Sequence, residues 1–534
     1  MQRAQRGGGA VMDVFDASLS LVPRKREARF GRSFSGWARA VTSAWKSFGR
    51  GCPARFHGTG HVVRAKDRGV RMTGWIRNVA GIIALSVSGA IATAQDLLPS
   101  AGAQRMPVAI VNATVHTVSD GVLENAYIFF DNGRIVEVGV GDRMFIGTTR
   151  VIDAEGGDVY PGLILPHTQL GLQEVSAVRA TRDDAEVGPV TPEVRAITAI
   201  NPDTTLIPVA RTNGILLSCV FPRAALRDTV EAPTGLIPGQ ASVIRMDGWT
   251  NEDLMVSGSA GLVVNWPRTR PVRAWWMETP EAEQIERMAR ARAVIEETFD
   301  AAEAYRAIRA GDASSPIDLA LEAVVPCLPG GEGGAGEGTQ RPVFIHANDQ
   351  DDITSAVAWA AGRGLKAVIV GGRDAPEVAQ MLVEHGVAVI VDGLHRFPKR
   401  ADSAYDEAFT VPARLEAAGV RWCFAGGEEP AHERSLPFNA GRAVAFGLSQ
   451  EAALRSITLS AAEVLGIDET YGSIEPGKSA TIILTTGNVL EATTTVTRAF
   501  IDGREIDLRN KQTELIEKYR EKYRQLGIID GDDQ

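Results

Sequence analysis

Short apolar runs alternate with longer segments of helical spacing through the middle of the chain. The apolar runs have the length of buried strands, and the segments between them have the length of helices. Candidate strands lie at 162–165, 216–220, 243–246, 343–346, 367–370, 387–391 and 421–425. Candidate helices lie at 280–310, 351–363, 375–385 and 451–454. This alternation predicts parallel β/α units built around one sheet.

Strand patterns of a second kind flank this middle region on both sides. They lie at 108–118, 126–130, 134–138, 481–484 and 496–501. Beyond them, five apolar residues recur at helical spacing: Leu515, Ile516, Tyr519, Tyr523 and Leu526. This stripe predicts a C-terminal helix that docks on the body of the protein.

Residues 72–94 have the layout of a secretory signal. Arg77 supplies the charged start, 79–92 the apolar stretch, and Ala92-Thr93-Ala94 the small-x-small cleavage site. The apolar stretch is shorter than the roughly 20 residues that a membrane span needs, and a buried helix is the alternative. We therefore expect export to the periplasm or the outside of the cell. The mature chain would begin at Gln95 and have no integral membrane span.

Charge is distributed unevenly along the chain. Residues 1–94 hold 16 Lys and Arg against 4 Asp and Glu, whereas the remainder holds 40 against 62. An acidic mature chain has no phosphate-binding footprint, so nucleic acid is not an expected partner. Residues 1–71 are rich in Arg, Gly and Ser and predict little order. They are either an upstream extension of the reading frame, with Met72 as the start, or a disordered basic arm.

The cysteines show no metal-binding or disulfide spacing. Cys52, Cys219, Cys327 and Cys423 include no C-x-x-C pair, and Cys219 and Cys423 lie within apolar runs. We expect buried core thiols rather than zinc ligands or a disulfide framework.

Candidate chemistry follows the first apolar run of the middle region. Residues 161–172 read PGLILPHTQLGL, so the run leads into His167, with Gln169 two residues later. Residues i and i+2 of a strand share a face, which would direct both side chains to one place. Two histidines so placed would bind one divalent cation, but an amide is a much poorer ligand for zinc.

This segment resembles the first barrel strand of the amidohydrolase superfamily, particularly its imidazolonepropionase-like and secreted members, which usually carry PGLIDxHxHxL. Residues 457–466 (ITLSAAEVLG) and 472–484 (GSIEPGKSATIIL) are similar to the family's TxxPAxxLG and GxIxPGKxADLVL stretches. The resemblance implies a distorted (β/α)8 TIM-like barrel over 161–469. It also implies a composite β-sandwich from 106–160 and 470–508, followed by a C-terminal helix and acidic tail over 509–534.

The resemblance also implies a metal-ligand set at the carboxyl ends of the barrel strands. Family members carry His-x-His on strand 1, one His each on strands 5 and 6, and an Asp on strand 8. Here His167 and His346 occupy two of these five positions. The other three hold Gln169, the Gly371-Gly372 pair and Gly426.

An incomplete ligand set implies that a zinc ion is weakly held or absent. Glu428 and Glu429 follow the last strand and are candidates for a recruited ligand or for the lost general base. Asp349 is a further candidate ligand, and His395 could serve as a ligand or bind substrate. Gln169 and Arg211 complete the candidate substrate-binding residues.

The function implied is hydrolysis of a non-peptide C–N bond in a cyclic or linear amide. The alternative is a catalytically inactive protein of this fold that binds a small molecule, because a fold does not settle a function. A small-molecule substrate or ligand is the expected partner, and self-association into a homo-oligomer is left open.

Overall fold

The computed structural model of the protein describes residues 98–145, 147–223, 235–334, 339–427 and 429–529. The predicted basic extension and secretory signal, 1–71 and 72–94, lie outside these residues. No helix in the described part of the chain is both long and apolar enough to cross a membrane.

The first five strands form one side of a sheet that the end of the chain completes. They are β1 (Val108–His116), β2 (Val122–Asp131), β3 (Arg134–Val140), β4 (Arg150–Asp153) and β5 (Asp158–Pro161). β1, β2 and β3 follow one another antiparallel, and β4 and β5 both pair with β1 in parallel. Alternate residues are buried in β1 from Ala113 onward and in β2 from Ala126 onward, which is the period expected of a sheet with one apolar face.

The next eight strands form the barrel sheet. They are β6 (Leu163–Thr168), β7 (Ile215–Val220), β8 (Gly239–Arg245), β9 (Met255–Asn265), β10 (Val343–Ala347), β11 (Ala367–Gly371), β12 (Ala388–Asp392) and β13 (Trp422–Ala425). They are hydrogen-bonded in chain order from β6 to β13. The ends of the sheet, β6 and β13, lie next to each other, so the barrel is nearly closed.

One strand departs from the predicted parallel arrangement. β8 runs antiparallel to both β7 and β9, while β6 and β7 pair in parallel and β9 to β13 are parallel throughout. The expectation of parallel units only is therefore wrong at this point. β9 was also absent from the candidate strands, because glycine and serine interrupt its apolar run.

Helices connect and cover the strands. They are α1 (Leu206–Thr212), α2 (Asn251–Leu254), α3 (Glu281–Gly311), α4 (Leu319–Val324), α5 (Gln350–Gly362), α6 (Ala379–Glu384), α7 (Glu407–Ala417), α8 (Leu436–Val444), α9 (Gln450–Ser456) and α10 (Leu459–Leu465). Short 3₁₀ helices lie at Arg179–Thr181, Ala196–Ala199, Val325–Cys327, Ala375–Val378 and Pro430–Ser435. α10 packs on both β6 and β13 and covers the seam of the barrel.

The barrel interior is a packed apolar core. Inward-facing side chains of alternate strand positions fill it, among them Ile164, Leu217, Phe344, Val370 and Ile390. Cys219 and Cys423 belong to this core, and both are free and buried. The prediction of buried thiols is confirmed, and burial raises the pKa of both thiols.

The chain then returns to the first sheet through β14 (Ile482–Thr485), β15 (Val496–Ile501) and β16 (Arg504–Glu505), with β14 antiparallel to β5. The C-terminal helix α11 (Lys511–Gln525) starts at a capping box formed by Asn510 and Thr513. None of its residues is buried, and the five apolar side chains of its stripe are between 40% and 61% exposed. The helix exists as predicted, but the expectation that it docks on the body is wrong.

Candidate functional site

Strand alternation brings two polar side chains to the mouth of the barrel. In β10, Phe344 faces the barrel interior, so His346 two residues later faces the same way. In β12, Ala388 and Ile390 face the interior, and Asp392 continues this face as the last residue of the strand. The two strands are parallel, so His346 and Asp392 emerge at the same end of the barrel.

A β-bulge in β6 directs His167 to the same place. Leu165 lies opposite Ser218 and Thr168 lies opposite Val220, so β6 carries one extra residue at this point. The extra residue reverses the alternation, which lets His167 face the interior although Ile164 already does. β6 ends at Thr168, so the alternation argument that placed Gln169 beside His167 does not apply. Gln169 is buried in the turn that follows.

His167 is the centre of the resulting cluster. Its Nδ1 lies 3.3 Å from Asp392 Oδ1. Its ring centroid lies 5.2 Å from that of His346 and 4.7 Å from that of Phe221. Phe221 follows β7 and contacts both imidazole rings edge-on, so one side of the cluster is apolar.

Burial and the neighbouring charges lower the pKa values of both His346 and Asp392. The pKa of His346 is lowered to about 3, mainly by burial and also by His167 and the Arg223 guanidinium, while Asp392 opposes the shift. Burial acts to raise the pKa of Asp392, but His167, His346 and Arg223 outweigh it and the pKa is lowered. At neutral pH the cluster therefore contains a neutral His346 imidazole and an Asp392 carboxylate.

Other side chains fill the ends of β11 and β13, where the sequence has glycines. A side chain at Gly371 would meet the amide of Asn348, which follows β10. A side chain at Gly426 would overlap the carboxyl of Glu433, which comes from the 3₁₀ helix Pro430–Ser435. Glu433 is only 4% exposed, and burial raises its pKa to about 8, with Thr168 opposing and Asp392 adding to this shift.

The acidic residues predicted to act at this end lie elsewhere or outside the described residues. Glu428 is not among the described residues. Glu429 is exposed, and its carboxylate lies 3.4 Å from the Ser176 hydroxyl at the rim. Asp349 forms ion pairs with Arg373 and Lys399, so it is committed to two cations rather than to the histidines.

The predicted substrate-binding residues are dispersed. His395 follows β12 but is exposed, and its ring contacts Phe409 of α7 at 6.0 Å instead of the cluster. Arg211 is 5% exposed and pairs with Asp247 at 2.8 Å. It precedes β7, whose amino end lies at the opposite end of the barrel from the mouth. The expectation that Arg211 binds substrate is therefore corrected to a structural role.

Comparison with known proteins agrees with this architecture. The family model described as "Amidohydrolase family" matches residues 337–506, which contain β10 to β16. The chain is 26% identical over 393 residues to an imidazolonepropionase of Rhizorhabdus wittichii, a match covering 68% of this chain and 88% of the relative. These matches support the resemblance of the chain to the amidohydrolase superfamily.

Further matches cover different shares of the chain. An imidazolonepropionase of Geobacillus kaustophilus is 37% identical over 84 residues, which are 14% of this chain and 19% of the relative. The crystal structure of an amidohydrolase from Thermotoga maritima superposes with a TM-score of 0.63 at 24% identity, covering 75% of this chain and all of the other. This likeness shows a shared fold of barrel and second domain.

The donors present do not fit the zinc ion that the resemblance implies. Catalytic zinc commonly takes three protein ligands. His167, His346 and Asp392 lie close together, but among the described residues no group of three or more His, Cys, Asp or Glu side chains could hold a metal ion. Asp392 is directed at His167 Nδ1, and Glu433 and Asn348 take up the space at the glycine strand ends.

Proposed function

We propose that this protein hydrolyses a non-peptide C–N bond of a small cyclic or linear amide. The observation that carries the proposal is the cluster of His167, His346 and Asp392 at the carboxyl ends of the barrel strands. Barrel enzymes keep their chemistry at that end, and the similarity to the amidohydrolase family and to imidazolonepropionases supports the reaction class.

The residues of the cluster suit a reaction in which water attacks a carbonyl. Asp392 holds the His167 imidazole through Nδ1, which leaves the other ring nitrogen free to take a proton from water. The neutral His346 imidazole can donate a hydrogen bond to the carbonyl oxygen, and Arg223 supplies positive charge for the oxyanion that forms. Phe221 excludes water from one side of this space.

A second candidate is a binding protein without turnover. It is favoured by Gly371 and Gly426, which stand at two strand ends where the resemblance implies metal ligands. In this case the mouth would hold a small molecule through the same polar groups without hydrolysing it.

Turnover assays distinguish the two functions. The mature chain should be tested with imidazolonepropionate, other cyclic amides and ureides, N-acetyl amino acids and acyl alkylamides. We expect hydrolysis of at least one class, with the rate retained after treatment with EDTA. Binding measured by calorimetry without any turnover would favour the second candidate. Activity that EDTA abolishes and zinc restores would show that the donors rearrange around a metal.

We also propose that the protein is exported, on the basis of 72–94. N-terminal sequencing of protein from fractionated cells should find Gln95 as the first residue in the periplasmic or extracellular fraction. An intact start at Met1 in the cytoplasm would contradict export and would favour the disordered arm over an extended reading frame.

A further inference from the structure

Glu433 has a buried carboxyl, and no ion pair with another described residue neutralises it. It lies in the 3₁₀ helix Pro430–Ser435, packed against β6 and α1. Its Oε2 is buried without a hydrogen-bond partner among the described residues. A lone buried carboxylate is costly in free energy, so such a group stays protonated or has a function that maintains it.

The absence of a side chain at Gly426 leaves the space that the Glu433 carboxyl occupies. Any side chain at Gly426, directly after β13, would occupy the space of the Glu433 carboxyl. The carboxyl therefore reaches the mouth of the barrel from the following loop instead of from the strand. There it interacts with the Thr168 hydroxyl, next to His167, and with the charge of Asp392.

Two carboxyls at one mouth thus have opposite protonation states. Asp392 has a lowered pKa and is ionised, whereas the pKa of Glu433 is raised to about 8 and the group is protonated at neutral pH. Carboxyls whose environments separate their pKa values in this way act as base and acid in many hydrolases. In this arrangement Asp392 supports the base, because it lies next to His167, which takes up the proton.

We propose that Glu433 is the general acid of this site and protonates the nitrogen that leaves. The inference rests on the proposed hydrolysis. The oxygen of water bonds to the carbonyl carbon while one water proton passes to His167. The C–N bond breaks, and the leaving nitrogen takes the proton of the Glu433 carboxyl. The imidazolium of His167 then returns a proton to Glu433, so one water is consumed and both groups are restored.

The test compares two leaving groups on one acyl group. The acyl group is taken from the substrate that the wild type hydrolyses, and is presented as an alkylamide and as a p-nitrophenyl ester. An alkylamine leaves only when it is protonated, whereas p-nitrophenolate leaves without a proton. We expect Glu433→Gln to lower kcat for the amide by about 10²–10³-fold and kcat for the ester by less than about tenfold. Glu451→Gln, which changes an exposed carboxyl of α9, is the matched control.

Thr168→Val serves as a second variant that keeps the Glu433 carboxyl. It removes the hydroxyl that contacts this carboxyl, and we expect a smaller loss with the same preference for the amide. Equal losses for amide and ester, or no loss in Glu433→Gln, would overturn the assignment. So would a leaving-group-dependent loss in Glu429→Gln instead. If the wild type hydrolyses none of the probes, both the proposed function and this inference are contradicted. If the wild type is active and the Glu433→Gln variant is equally active, only this inference is contradicted.

Discussion

Replacing Asp392 by Asn is expected to lower kcat/KM by about 10²–10⁴-fold, the range found when the group that orients a catalytic imidazole is changed. Asp392 Oδ1 lies 3.3 Å from His167 Nδ1, and its negative charge favours a proton on that nitrogen, which leaves the other ring nitrogen able to act as a base. An asparagine amide can present its NH₂ to this nitrogen and stabilise the opposite tautomer. The loss is expected mainly in kcat, because substrate binding does not require proton transfer.

The matched control for this variant is Asp351→Asn. Asp351 is a half-exposed residue of α5 that pairs with Arg270, and it is not part of the cluster. Steady-state kinetics on the substrate found in the panel, together with thermal melting of each variant, separates a catalytic effect from misfolding. A folded Asp392→Asn protein with the wild-type kcat would exclude His167 as the base.

Much of this cluster follows from strand alternation, which the sequence contains. Asp392 was not predicted as a site residue, although it directly follows the predicted strand 387–391. Ala388 and Ile390 face the barrel interior, so the same period places Asp392 at the mouth. Extending the inward and outward alternation of the candidate strand 387–391 by one residue identifies Asp392 as an inward-facing residue. His346 was identified by the resemblance, and alternation gives the same result.

Features that depend on the bending of the backbone could not be predicted in this way. The bulge that turns His167 inward is recognised only by pairing β6 with β7. The apolar sequence pattern of β9 is interrupted by Gly261. Any side chain at this position would overlap the ring of Phe344, so packing requires the glycine that weakens the strand pattern. Glu433 lies in a 3₁₀ helix beyond the strand, and no periodic signal connects it with Gly426.

Arg211 illustrates how one reversed strand changes the interpretation of a charged residue. The sequence placed Arg211 in a loop near the mouth and suggested a substrate contact. Because β8 runs antiparallel, its carboxyl end brings Asp247 to the opposite end of the barrel, where Arg211 precedes β7. Arg211 donates to Asp247 at 2.8 Å and to the carbonyl of Met246 at 3.1 Å. Asp247 also accepts from the Ser100 hydroxyl and the Ala101 amide.

We therefore expect Arg211→Met to destabilise the protein by about 3 kcal/mol, because it removes the nearer cation of the buried Asp247 carboxylate and leaves only Arg504, 3.6 Å away. Asp247 is 5% exposed and cannot recover this energy from water. The exposed pair of Arg498 and Glu505 provides the comparison, and Arg498→Met should cost no more than about 1 kcal/mol. Denaturant unfolding gives the difference. The folded fraction of Arg211→Met should keep the wild-type KM, because the ion pair is remote from the mouth. An unchanged unfolding midpoint with a raised KM would instead support the substrate contact that the sequence suggested.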